Sequence, residues 1–571
     1  MNDSIQPQPT SVDSKAAYYE RRNHDGIKDT FESIIVALIL AFVFRAFIVE
    51  AFVIPTGSMA PTLYGAHGTI LCQDCGTEFA YGLRDLDDPR QIQVVRSTAR
   101  AICPNCNHPN SDLRVSDDQM NPERGDRILV LKWPLDIGGP LFRPARWDVT
   151  VFKDPSDGLT NFIKRLVGLP GEVLMIVQGD VYTVPTADLS TEARETLDRL
   201  RHEKYELRTH QRTGRLSSVP TEVLSELDEK LRVARKTPAA QSSLWFDVYN
   251  HDHPPRRWDA NQPYWHSPVG AKSGWDASMR RLRFTDRAVD DDYVELVNGN
   301  FDAISAYNIF DRSAPPVSDH RVSFVLVPES STGAVGIRLS KYGRHLVASV
   351  RMDGAVSIVE TPEPGRVVPP VRMSAQVPPF SPGKGVEIAF ENVDYRLGLH
   401  VDGCEVLASS PQPGSSSYYG PNVRALRAMQ LEYPPSAPRI TGEGGQFELL
   451  HVLVQRDVHY FSDSRFNSWA GLPWAPREGW GSPASPILLR DGEYFMLGDN
   501  TAASKDSRLW DQIGPHLVSR GEAVQLGTVP QDQLIGKAFF VYWPSGHRID
   551  WLPLFSRFGL IPDVGRMRWI R

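Results

Sequence analysis

The feature that most limits what this chain can become is an apolar run near its start. Residues 31–54 read FESIIVALILAFVFRAFIVEAFVI, with no polar side chain from Ile34 to Phe44 and an apolar stretch that resumes after Arg45. A helix over residues 30–48 would be about 28 Å long, close to the hydrocarbon thickness of a bilayer. Three readings fit: a single membrane anchor, a cleavable secretory signal, or a buried core helix. The anchor is favoured, because no clear A-x-A cleavage site follows. Lys15, Arg21, Arg22 and Lys28 precede the run and put the N-terminus inside by the positive-inside rule. Arg45 can snorkel to the far interface. Everything after the run would then lie outside the cytoplasm.

A serine follows the run at once. Residues 54–63 read IPTGSMAPTL, with Ser58 between Gly57 and Met59. A serine nucleophile needs a base and a site for the developing oxyanion. Lys164 is a candidate base. It ends the apolar stretch Asn161-Phe162-Ile163-Lys164 before a Gly-Leu-Pro-Gly turn. Burial among apolar neighbours disfavours the charged amine, and a lysine is a base only when neutral. By alternation Phe162 and Lys164 share a strand face. The plain alternative is a solvent-facing lysine on an edge strand. A third stretch, GDNTAASKDSR at 498–508, opens on a turn-former, and Asp506 and Arg508 are spaced to pair across one strand face. Its plain alternative is a surface loop.

Together these stretches resemble bacterial signal peptidase I, the membrane-bound Ser-Lys leader peptidase. IPTGSMAPTL is similar to its serine box, KRLVGLPGE to its lysine box and GDNTAASKDSR to its last box. RGDRILVLK, RWDVTVFKDP and GKAFFVYWP are similar to its strands. The likeness covers about 150 of the 571 residues. It implies Ser58 as nucleophile, Lys164 as general base, and the Ser58 amide with the Thr56 hydroxyl as oxyanion site. It implies Ser504 as the group orienting the lysine amine, and Asp506–Arg508 as a structural pair. It also implies cleavage after small residues, with Ile54, Met59, Leu63, Phe162 and Ile163 shaping shallow apolar pockets. Two departures stand out. Thr501 and Ala502 replace the usual Arg and Asp, and Glu172 replaces the usual Asp.

The chain has five cysteines, four of them in two CxxC pairs: Cys72, Cys75, Cys103 and Cys106, with 27 residues between the pairs. That pattern favours a zinc-ribbon-like site of four thiolates with a structural Zn²⁺. Two disulfides remain an alternative on an oxidising side of the membrane, and an iron site is a third. Cys404 reads as a small core residue. No cofactor is expected for catalysis.

The remaining length, 571 residues, allows about three or four domains. LMIVQGDVYTV (174–184) predicts a hairpin around Gly179-Asp180. TEVLSELDEKLRVARK (221–236) carries Leu224, Leu227, Leu231 and Ala234 at helical spacing and predicts one or two packing helices. From about 244 to 461 apolar and polar residues alternate between turns, which predicts a two-sheet sandwich. This pattern is similar to concanavalin-like jelly rolls, which often bind carbohydrate, so a glycan or protein partner is open. A net charge of −7 argues against nucleic acid.

The expected fold class is mainly β: a membrane-anchored, signal-peptidase-like barrel or sheet core carrying a zinc-ribbon insertion and a concanavalin-like insertion. The expected parts are a cytoplasmic tail (1–29), transmembrane helix (30–48), first part of the catalytic core (49–185, with the cysteine insertion at 68–118) and helical spacer (186–240). The β-sandwich insertion (241–480), second part of the core (481–548) and C-terminal tail (549–571) follow. The expected function is a signal-peptide-removing serine endopeptidase of the bacterial cytoplasmic membrane, single-pass, acting on exported precursors on the outer face. The competing reading is a relic core that serves a membrane-anchored binding protein. A self-cleaving regulator of the repressor type fits less well, because the chain has an anchor and no DNA-binding head.

Overall fold

The computed structural model describes residues 11–81, 101–110, 125–132, 144–209, 217–256, 264–302, 315–361, 371–410, 415–428, 437–461, 479–545 and 563–570, apart from 278, 279, 298, 300, 416, 418, 419, 422, 511 and 521–523. Most of the link between the CxxC pairs and parts of both expected tails lie outside these residues.

A helix runs over Ser11–Phe47, so helical structure starts well before the expected residue 30. Its segment Lys28–Phe47 has a mean hydropathy of 2.0 and is long and apolar enough to cross a membrane, with none of it buried against the rest of the chain. Phe42, for example, is 66% exposed. Such a surface is costly in water and matched by lipid.

The helix passes directly into Val49–Val53, the first strand of a mixed-origin antiparallel sheet. The strand order is Val49–Val53, Arg127–Leu131, Leu534–Trp543, Val149–Lys153, Asn161–Gly168, Glu493–Leu497, Val529–Pro530. Residues far apart in sequence therefore alternate within one sheet. Arg568–Trp569 adds a short strand on Leu534–Trp543. Two edges bear on function. Val49–Val53 is paired on one side, by Arg127–Leu131. Asn161–Gly168 pairs with Val149–Lys153 over 161–165, but with Glu493–Leu497 only from Arg165 onward. Its first half, Asn161–Lys164, thus has a ladder partner on one side among the described residues.

Beyond Gly168 the chain forms the hairpin Glu172–Val177 and Asp180–Pro185. Gln178 and Gly179 both have positive φ, 52° and 91°, as a tight two-residue turn requires. Gly179 is needed for space too, since a Cβ would lie 2.1 Å from the His459 ring. Helices Thr191–Thr209 and Thr221–Lys230 follow. The second is shorter than its apolar spacing predicts. Leu231 and Ala234 lie beyond its end, where Arg232–Val233 pairs with Tyr182 and Thr183 of the hairpin. Pairing to the sheet edge overrides the local helical pattern.

The long alternating stretch forms two antiparallel sheets of eight and seven strands. They share one apolar core that includes Phe324, Leu326, Ile337, Leu346, Ile358 and Phe447. His320–Pro328 shows strict alternation of buried and half-buried residues, the mark of a strand with one face in a core. Cys404 departs from expectation. It is exposed, because it opens the outermost strand Cys404–Ala408, after the Asp402-Gly403 turn, with its side chain away from the core.

The two-sheet region is packed onto the first sheet. Val167, Phe495 and Leu497 share an apolar cluster with Leu244, Phe246, Val458 and Tyr460. Beside it lies a buried ionic network. Lys341 donates to Asp180 of the hairpin and to Asp319, and Lys236 bridges Asp394 and Asp457.

Candidate active site

Ser58 sits on a single helical turn, Gly57–Met59, closed by the Ala60 amide donating to the Gly57 carbonyl at 3.1 Å. The approach to the turn is fixed by the Ile54 amide, which donates to the Asp126 carbonyl at 2.9 Å, and by the Tyr64 amide, which donates to the Asp126 carboxylate at 2.9 Å. Both clasps join the segments flanking the cysteine insertion. That long excursion therefore starts and ends beside the serine turn.

Lys164 reaches this turn from the neighbouring strand. Its Nζ lies 2.6 Å from Ser58 Oγ and 3.1 Å from the Ile163 carbonyl. The Phe162 ring centroid is 5.5 Å from the same nitrogen, as expected for side chains two residues apart on one face. Ser58 is 7% and Lys164 5% exposed. The lysine is thus buried and not solvent-facing. The pair lies on the half of Asn161–Gly168 that has its described ladder partner in Val149–Lys153.

The next residue, Arg165, points the other way and was not anticipated from the sequence. It is fully buried and forms a two-pronged ion pair with Asp499, at 2.8 and 2.7 Å. Burial alone would lower the guanidinium pKa; Asp499 outweighs that and raises it. Asp499 opens the third stretch, and Asn500 continues it. The Asn500 amide donates to the Ser58 carbonyl and its side-chain amide donates to the Gly57 carbonyl, both at 3.0 Å. The signal for these roles is present in the letters Gly-Asp-Asn, which open the third stretch.

Ser504 is fully buried, and its Oγ meets no hydrogen-bond partner among the described residues. It packs against Gly498, where a Cβ would lie 2.2 Å from Ser504 Oγ and 2.6 Å from the Ser58 carbonyl oxygen. Only glycine allows this loop to lie so close to the serine turn. Asp506 and Arg508 form a buried two-pronged pair at 2.8 and 2.7 Å. They do so within a turn, not across a strand face, because the strand ends at Leu497. Glu172, longer than the aspartate it replaces, grips Arg146 with both oxygens at 2.8 and 2.6 Å.

Thr56 precedes the serine turn in extended backbone, and its side chain does not cap the turn. Ile54, Met59, Leu63 and Ile163 join one apolar cluster with Ile128, Val149 and Val541. Met59 and Leu63 have no exposed surface, so they form the floor beneath the serine and not an open pocket wall. Phe162 is half-buried on a separate cluster with Phe152 and Trp510.

The four paired cysteines converge. Their sulfurs all lie within 4.8 Å of one another, with Cys72–Cys106 at 3.5 Å and Cys75–Cys103 at 3.6 Å. Four thiolates at about 2.3 Å around a tetrahedral ion stand about 3.8 Å apart. The donor set therefore fits a metal, and no pair is joined as a disulfide. The knuckles dock on the two-sheet region: Tyr264 donates to the Cys106 carbonyl at 2.7 Å, and Asn105 exchanges hydrogen bonds with the His253 carbonyl and the Asn250 amide.

Among known proteins, the family described as "Signal peptidase, peptidase S26" matches residues 27–224 and 457–543, which leaves the two-sheet region unmatched. The chain is 46% identical over 72 residues to signal peptidase I of Pseudomonas fluorescens, covering 12% of this chain and 23% of that protein. It is 26% identical over 164 residues to signal peptidase I of Buchnera aphidicola, covering 29% and 36%. It is 40% identical over 90 residues to that of Pseudomonas aeruginosa, covering 15% and 26%. The chain thus spans about a quarter to a third of the length of these relatives. A solved endo-beta-1,3-glucanase from Pyrococcus furiosus overlaps 38% of this chain and 95% of its own, at 9% identity and a TM-score of 0.24.

Proposed function

The chain belongs to the signal peptidase family, peptidase S26, and on that premise we propose that it is a membrane-anchored serine endopeptidase that removes N-terminal signal peptides from exported precursors. The observation that carries the reading is the 2.6 Å contact between Lys164 Nζ and Ser58 Oγ in a buried setting. Neutral Lys164 takes the Ser58 proton as Oγ attacks the scissile carbonyl. The resulting ammonium then gives that proton to the leaving amine as the acyl-enzyme forms. A water activated by the same lysine hydrolyses the ester and frees Ser58. The Ser58 amide and the Thr56 hydroxyl hold the oxyanion. The hydroxyl of Ser504, not engaged elsewhere among the described residues, orients the amine. Asp506 and Arg508 hold the loop that carries it.

The precursor binds in extended form, by adding its backbone to the open edges of Asn161–Lys164 and Val49–Val53. Side chains beside the scissile bond meet the apolar surroundings of Ile54, Phe162 and Ile163, which favours cleavage after small residues of the A-x-A type. The helix Lys28–Phe47 holds this site at a bilayer surface. The basic residues before it favour a cytoplasmic N-terminus, with the site on the outer face of the cytoplasmic membrane. The four knuckle cysteines hold one structural Zn²⁺ outside the chemistry.

The test is to incubate detergent-solubilised protein with a precursor carrying an A-x-A site and to sequence the product's N-terminus. The reading predicts one cut after the second alanine. Cleavage elsewhere, or none, contradicts it.

A further inference from the structure

The two-sheet region meets the active-site loop at Phe461, through buried polar contacts. Phe461 ends the described segment that leaves this region. Its carbonyl accepts from Arg508 Nη1 at 2.8 Å, and its amide donates to Thr501 Oγ1 at 3.3 Å. The same Thr501 oxygen accepts from Arg508 Nη1 at 2.7 Å, and the Thr501 carbonyl accepts from Arg508 Nη2 at 3.1 Å. Both lone pairs of one hydroxyl are therefore used. One joins the loop to the arginine that braces it, and the other joins it to the two-sheet region. Beside this knot Ala502 packs against Val317 and Phe461. A larger or charged side chain at 502 would open that contact.

The knot lies one residue from the group that touches the catalytic turn. Asn500 binds the Ser58 and Gly57 carbonyls. On the far side of Thr501, Ser504 lies against Gly498, whose amide donates to Asp506 at 2.9 Å. A short, fully buried path thus runs from Phe461 through Thr501 to Ser58.

We infer that Thr501 is a positioning residue for the Ser58–Lys164 pair, and that through it the two-sheet region forms part of the active-site scaffold. This rests on the peptidase reading above. Thr501 does not reach the substrate. It fixes the loop so that Asn500 holds the serine turn and Ser504 stays beside it. The role needs an acceptor oxygen, which serine supplies and valine does not, although valine has nearly the shape of threonine.

The test compares wild type, Thr501→Val, Thr501→Ser and Ser58→Ala in the full chain. It measures kcat and KM on the precursor, and hydrogen exchange over residues 498–504. Thr501→Val is expected to lower kcat about tenfold with KM nearly unchanged, and to speed exchange in the loop. Thr501→Ser is expected to stay near wild type in both. Thr501→Ala replaces the valine variant if the latter does not fold. Equal kcat for the valine and serine variants, or unchanged exchange in the valine variant, overturns the inference. If wild type cleaves no better than Ser58→Ala, the peptidase reading fails, and the exchange measurement still decides whether Thr501 ties the loop.

Discussion

The loop beside Ser58 and the apolar space between the two sheets are filled with different chemistry, although the two-sheet region also buries Asp319, Lys341, Asp394 and Asp457 where it meets the hairpin. Around Ser58 the chain buries Lys164, Arg165, Asp499, Asp506 and Arg508, each 5% exposed or less. Between the sheets of the two-sheet region it buries Phe324, Leu326, Ile337, Leu346 and Phe447 instead. The difference lies in what each interior demands of a residue. A buried charge needs one particular partner in one geometry, and loss of either leaves the other stranded at high cost. An apolar interior demands volume and shape, which several residues can supply.

The sharpest way to break this comparison is Arg165→Met, which fills the space but strands the Asp499 carboxylate. It should cost about 3–5 kcal/mol in chemical denaturation, and it should disturb the serine turn through Asn500. A neutral outcome would mean that the buried pair is not what holds this loop.

The same contrast explains what the sequence disclosed. Ser58 and Lys164 could be singled out because nucleophilic chemistry asks for those residue types, and Ser504 because its stretch resembles the last box of a known family. Alternation along residues 320–361 disclosed strands, because one face of each enters a core. Arg165–Asp499 was invisible: a guanidinium next to a lysine reads as a solvated charge, and its partner lies 334 residues away. Leu231 and Ala234 misled, because their helical spacing gave way to pairing on the hairpin edge. Cys404 misled because nothing local says that its strand is the outermost.

Metal removal should have the next largest effect. Chelation is expected to release about one ion per chain and to expose the knuckles to protease, since Tyr264, Asn250 and His253 hold them only while they are folded. Precursor cleavage should fall a few-fold at most. Unchanged protease resistance after complete chelation would show that the sulfurs are held without an ion.

On the apolar side, Leu346→Met keeps volume and should cost less than about 1.5 kcal/mol, with kcat unchanged. A loss as large as that of Arg165→Met would erase the contrast between the regions.

The joint between them should respond to pH. Burial lifts the Asp180 carboxyl to about 7, against about 3.9 in an unfolded chain. Lys341, Asp319 and Asp394 surround it. The folded state holds this proton more tightly, so its contribution is full below about pH 4 and is lost as pH rises through about 7. Asp180→Asn should therefore gain stability relative to wild type as pH rises from about 4 to about 7. Parallel pH profiles for the two chains would contradict this. The smallest effect belongs to the surface: Arg281→Ala, which removes a half-exposed partner of Glu448, should change stability by less than about 0.5 kcal/mol.

The central claim is that Ser58 attacks and Lys164 takes its proton. The most direct measurement is single-turnover cleavage of an A-x-A precursor by the detergent-solubilised wild type, Ser58→Ala and Lys164→Ala. The account predicts clean cleavage by wild type and a loss of about 10⁴-fold or more in both variants. Cleavage at equal rates by all three chains would contradict it.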